Sequence, residues 1–136
     1  MSTLKHVQIN GYNYTESGNG NPIIVLHGLM GGLGNFKEFL ENFPNHNYRV
    51  IMPELPIYSS SLIDTNVKYF AKYINKFINF LKLDNVILVG NSLGGHVALV
   101  HAKLFPKQTK ALVLTGSNNL PLTSILHSYV PIRLII

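Results

Sequence analysis

The chain has 136 residues, 46% of them hydrophobic and only 12% charged, with a net charge of +5 and a pI of about 9.5. That length suits one domain burying about two-thirds of its unfolded surface, and the composition excludes a disordered chain. The lack of cysteine excludes disulfides and thiolate metal sites, and no apolar run is long enough to span a bilayer.

The first residues, 1–10, lack a basic start followed by an apolar core, so no signal peptide is read and a cytoplasmic location is the default expectation. The low charge implies that part of the surface packs against something. The lysines are scattered: Lys68, Lys72, Lys76 and Lys82 follow one helical segment, and Lys103, Lys107 and Lys110 lie near the end of another. No dense Arg/Lys run with interleaved aromatics occurs, so a solvated helix face is preferred to a nucleic-acid surface.

In chain order, residues 4–10 alternate Val7 and Ile9 with polar residues and read as a half-exposed strand. Gly11 marks a turn and Tyr12–Thr15 alternate again, which predicts an antiparallel pair at a sheet edge. Residues 17–22 read as a Gly/Asn/Pro loop. Ile23–Leu26 form an apolar strand leading into His27–Gly34, a loop with four glycines. No Gly-Lys-Ser/Thr follows, so a nucleotide P-loop is poorly supported and no cofactor is expected. Asn35 can cap a helix over 36–43 whose Phe36, Phe39, Leu40 and Phe43 should face the sheet.

Tyr48–Met52 form a third buried strand, followed by Pro53-Glu54-Leu55-Pro56 and a serine-rich loop, Ser59–Ser61. Thr65 or Asn66 can cap a helix near 67–83. Its apolar stripe is Val67, Phe70, Ala71, Ile74, Phe77, Ile78 and Leu81, with lysines opposite. Val86–Val89 is a run of four aliphatics, the signature of a strand buried on both faces. A helix over 97–105 and a strand over 111–115 complete the pattern. Strand and helix alternate from Ile23 to Thr115, which predicts a mostly parallel sheet with helices on both faces. Sites in such sheets form at the carboxyl ends of the strands, where both glycine-rich loops sit.

The chemistry concentrates after Val89. Gly90-Asn91-Ser92-Leu93-Gly94 is G-x-S-x-G between a strand and a helix. A nucleophilic serine must project from a sharp turn, and glycines two places either side leave room for strand and helix to pass. The N-terminus of the following helix points free N–H groups at the same spot.

On these residues the chain resembles the α/β-hydrolase family over about residues 4–118. Asp84 to Gly95 is similar to the family's nucleophile elbow and its strand, and His27-Gly28-Leu29 to its oxyanion loop. Pro53-Glu54-Leu55-Pro56 stands where many members have Pro-x-x-Gly-x-Gly, with Ile57 and Ser59 in place of glycines. The resemblance implies Ser92 as nucleophile, the backbone N–H groups of Leu29 and Leu93 as the oxyanion hole, and a small-molecule ester-like substrate. It gives His27 a structural role and makes His96 a surface or pocket-wall residue. No cofactor, no metal and no nucleic acid is expected.

The family order is nucleophile, acid, histidine, yet no Asp or Glu follows Ser92. The histidines after it are His96, His101 and His127. The expectation is therefore a single partial domain over 1–136, a truncated α/β-hydrolase fold of about six of eight strands. Residues 120–136 form an atypical apolar tail or the start of a cap. Such a chain would lack a working triad and would leave a sheet edge open to self-association. The first functional reading is a serine hydrolase of the esterase type. The others are a carbon–carbon bond hydrolase, since Gly90–Gly95 suits those enzymes too, and a non-catalytic remnant that binds a ligand or partner.

Overall fold

The computed structural model describes residues 4–28, 37–42, 47–57, 66–116 and 133–135. In chain order the strands are β1 (Lys5–Ile9), β2 (Tyr12–Gly18), β3 (Asn21–Leu26), β4 (Tyr48–Pro53), β5 (Val86–Asn91), β6 (Thr109–Thr115) and β7 (Arg133–Ile135). The helices are α1 (Lys37–Asn42), α2 (Val67–Phe80) and α3 (Leu93–Leu104), with a 3₁₀ turn at Pro106–Gln108. The strands form one sheet in the order β1-β2-β4-β3-β5-β6-β7.

The antiparallel part comes from a two-residue turn. Asn10 and Gly11 both have positive φ, 50° and 79°, and Ile9 pairs with Tyr12 across them. Such a turn matches the right-handed twist of its strands. β2 then pairs antiparallel with β4, and every pairing from β4 to β7 is parallel. β2 continues to Gly18, into the stretch read from sequence as a loop. Ser17 is buried there, and just before it Thr15 is buried and Glu16 pairs with Arg49 of β4 at 2.6 Å.

Alternation along the strands sends side chains to two faces. Ile24, Leu26, Ile51, Leu88, Leu112 and Leu114 point to one face, where they pack with the Phe70, Ile74 and Phe77 side of α2 and with Val97 of α3. Ile23, Val25, Val50 and Met52 point to the other and meet Leu40 of α1. Helices therefore cover both faces, as predicted. Phe39 was expected to face the sheet but is 39% exposed, because it lies about 100° around the helix from the buried Leu40. Phe36 and Phe43 fall outside the described residues.

Asn66 caps α2, its Oδ1 accepting from the Tyr69 N–H at 2.8 Å. The helix stops at Phe80, three residues before the predicted end. Lys82 takes a left-handed φ of 55°, and the N–H groups of Lys82 and Leu83 donate to Asn79 O and Ile78 O. This is the Schellman closure, and Leu83 folds back on the core to complete it. Beyond β6, Arg133–Ile135 pairs with Ala111–Val113, so the apolar tail adds a strand and covers the middle of that edge. No helix among the described residues is long and apolar enough to cross a membrane.

Candidate active site

Ser92 occupies the single residue between β5 and α3. Its φ of 52° and ψ of −117° lie where a non-glycine residue is strained. The strain is held from three directions. The Ser92 N–H donates to Thr115 O of β6 at 3.0 Å, while Ser92 O accepts from the N–H groups of Gly95 and His96 at 2.9 and 3.2 Å. α3 begins at Leu93, earlier than the periodicity predicts, so its first turn follows directly from the serine.

The two glycines differ in what they admit. A Cβ on Gly90 would lie 2.7 Å from Gly95 Cα, so Gly90 lets α3 pass its own strand. A Cβ on Gly94 would lie 2.8 Å from His27 O, and closer still to the Leu26 carbonyl. Gly94 thus seats α3 against the end of β3, the strand that delivers the second glycine loop. Sequence reasoning assigned both glycines to one strand–helix approach; the structure divides them between two.

His27 is buried at the start of that loop. Its Nε2 accepts from the Leu55 N–H at 3.0 Å, which places the ring proton on Nδ1, where it donates to Gly28 O at 2.8 Å. Both nitrogens are occupied, and the ring ties the loop after β3 to the Glu54–Pro56 segment after β4. Ile57, one of the two residues in place of the family's glycines, follows this segment directly, and Ser59, the other, falls outside the described residues. Glu54 accepts from Asn13 Nδ2 at 2.7 Å, while the Ile57 N–H donates to Leu55 O.

One contact was invisible from sequence. Thr115 Oγ1 donates to Asn91 Oδ1 at 3.2 Å, so the end of β6 grips the residue before Ser92 by side chain and Ser92 itself by backbone. It depends on the β5–β6 register, Asn91 opposite Thr115, which no local pattern encodes.

The described histidines lie in different places. His6 Nδ1 is 2.9 Å from Thr15 Oγ1 at the sheet edge, and His101 is buried between α3, α2 and β6. His96 is half-buried one turn into α3. His46 and His127 fall outside the described residues, as does Leu29, the expected second oxyanion donor. No group of three His, Cys, Asp or Glu among the described residues is placed to hold a metal ion.

Strained φ at the serine predicts that Ser92→Gly raises stability, by about 1–2 kcal/mol, since glycine adopts this conformation freely. Urea unfolding of the two chains measures it. An unchanged or lower midpoint for the glycine variant would show that the turn is relaxed.

A mostly parallel sheet flanked on both faces, with a strained serine between a central strand and a helix, is a hydrolase architecture. The α/β-hydrolase-fold family model matches residues 21–132, and the chain belongs to that family. Among curated proteins it is 33% identical over 112 residues to a 2-hydroxy-6-oxononadienedioate/2-hydroxy-6-oxononatrienedioate hydrolase of Burkholderia vietnamiensis, covering 76% of this chain and 39% of that one. It is 31% identical over 112 residues to a 2-hydroxy-6-oxo-6-phenylhexa-2,4-dienoate hydrolase of Burkholderia cepacia, with 77% and 39% covered. Among solved structures, an α/β-hydrolase enzyme from the metagenome of Mar Chica lagoon sediments, Morocco, superposes with a TM-score of 0.80 at 50% identity. That match covers 86% of this chain and 53% of the other. The chain spans about two-fifths of the length of these curated relatives and about half of that structure.

Proposed function

We propose that the chain carries the nucleophile of a serine hydrolase. Ser92 Oγ attacks a carbonyl carbon and the carbonyl oxygen gathers negative charge beside the backbone N–H groups of Leu93 and Leu29. The bond to the alcohol oxygen then breaks and the alcohol leaves with the serine proton. Water next adds to the acyl-enzyme, freeing the acid and returning a proton to Ser92 Oγ. The observation that carries this reading is the backbone of Ser92, strained at the carboxyl end of a buried strand with the first turn of α3 behind it. First-turn N–H groups have no acceptor within their own helix, which makes Leu93 a donor for a developing oxyanion. An ester is the simplest substrate for such a site.

A second reading, hydrolysis of a carbon–carbon bond, is favoured by the relatives named for 2-hydroxy-6-oxo dienoates. Adding the elements of water across the bond between the 6-oxo carbon and its neighbour C5 turns the 6-oxo carbon into a carboxylic acid, while C5, which leaves with the bonding pair, takes a proton. Both readings use Ser92 and the same N–H groups.

Within these 136 residues no acid follows Ser92, and His27 and His101 have both ring nitrogens in other hydrogen bonds. A site with oxyanion donors alone retains roughly 10³–10⁴-fold catalysis over water. We therefore expect slow, single-event labelling of Ser92 by a fluorophosphonate, absent in Ser92→Ala. Multiple turnover of nitrophenyl acetate should be equal in the two chains. Failure to label Ser92 over hours would remove the nucleophile assignment. Ser92-dependent turnover would instead show that a base such as His127 is supplied.

A further inference from the structure

The basic charge is not spread evenly over the molecule. Between 66 and 116 there are seven lysines and no arginine, and the one acid in that segment is Asp84. Lys68, Lys72 and Lys76 recur every four residues along α2 and are all exposed, a single stripe down its outer face. Asn75 and Asn79 share that side of the helix and both hydrogen-bond Gln108, at 3.0 and 2.8 Å. Those bonds bring the turn after α3, with the exposed Lys103 and Lys107 before and within it, alongside the lysine stripe. The ion pairs among the described residues, Glu16–Arg49 and Lys37–Glu41, lie outside this layer.

Two apolar side chains stand among these charges. Tyr69, between Lys68 and Lys72, is 40% exposed, and Leu104, next to Lys103, is 37% exposed. We propose that the outer face of α2, with the end of α3, docks onto an anionic lipid surface. Lysine ammonium groups on long stems suit diffuse headgroup charge, while Tyr69 and Leu104 have the amphipathic and aliphatic character that settles at the headgroup boundary. The face has no arginine, the residue that reads phosphates and base edges with a paired fork, which disfavours a nucleic acid. α3 starts at the serine, so Lys103 sits roughly 16 Å along the helix from it. Docking at that end leaves Ser92 open.

Co-sedimentation with vesicles tests this. The chain should bind vesicles of two parts phosphatidylcholine to one part phosphatidylserine at low salt, and not phosphatidylcholine alone. About 0.5 M salt should release it. Each lysine near such a surface is worth about fivefold in affinity, so the triple variant Lys68→Gln, Lys72→Gln, Lys76→Gln should bind roughly 100-fold more weakly. The second variant, Lys103→Gln with Lys107→Gln, should lose roughly 25-fold. These side chains are exposed, and far-UV circular dichroism checks that both variants remain folded. Equal binding to both vesicle types, affinities unchanged in both folded variants, or preference for a DNA duplex over the mixed vesicles would each overturn the proposal.

Discussion

Replacing Gly94 with alanine is expected to destabilise the fold by about 3 kcal/mol or more, at the upper end of overpacking costs. Two effects oppose each other. Alanine gains about 1 kcal/mol over glycine within a helix. Against this, its Cβ would sit 2.8 Å from His27 O and nearer still to the Leu26 carbonyl. Those atoms are backbone and cannot swing aside as a long side chain does. Leu26 is also opposite Gly90 in the β3–β5 ladder, so moving β3 breaks central pairing. The steric term therefore wins. At this size the thermal midpoint should fall by roughly 10 °C. A midpoint within roughly 2 °C of the parent would mean that α3 does not press on β3. The same substitution displaces the start of the His27 loop, so Ser92 labelling should drop even in the fraction that stays folded.

Much of the fold is legible because the interior strands are buried on both faces. Ile23–Leu26, Val50–Met52 and Val86–Val89 contain no polar residue, and no amphipathic helix reads that way. The α2 stripe is legible for the complementary reason, since one face of it is wet. What was missed depends on pairing between distant segments. β2 runs to Gly18 although Ser17 and Gly18 look like loop, because the Glu16–Arg49 pair and the β4 ladder hold this end of the strand. β7 is three residues of an apolar tail whose partner lies about twenty residues earlier, and nothing local marks it. The start of α3 at Leu93 is hidden in the sequence because Gly94 and Gly95 depress helix propensity, and at Gly94 close packing against β3 demands the glycine.

The site divides in the same way. Ser92 and its glycines are adjacent in sequence, so spacing alone picks them out. The Thr115–Asn91 bond joins two strands and the His27–Leu55 bond joins the segments that follow two others, and only the sheet's strand order and register reveal them. The roles of Ser92, Leu93 and Leu29 in catalysis rest on the proposed function.

Acidification is expected to weaken the fold through His101. The ring is fully buried where α3, α2 and β6 meet, with Phe105 packed against it at 5.2 Å between ring centres. Nε2 lies 2.9 Å from Gln108 Oε1, which also accepts from Asn75 Nδ2, so the ring proton is on Nε2. Nδ1 then accepts from Thr109 Oγ1 at 3.3 Å. Burial lowers the imidazole from 6.5 to about 4, and the Gln108 bond only partly offsets this. Protonation would also turn Nδ1 into a donor facing a hydroxyl that has been donating to it. The sign follows from the unfolded chain, where the ring titrates near 6.5 and so binds protons more readily than the folded ring. Stability is therefore fully present above about pH 6.5, falls as pH drops toward 4, and loses nothing further from this group below that. The total is about 3 kcal/mol, 1.36 kcal/mol for each pH unit between the two values. A single stability curve sums over the whole chain, so the measurement is a difference between two chains. Urea unfolding of the parent and of His101→Gln, from pH 7.5 to 4.5, isolates the ring, since glutamine can still donate to Gln108 but takes up no proton. The parent should lose its advantage over the variant as pH falls through this window. Two parallel curves would show that His101 is not the group responsible.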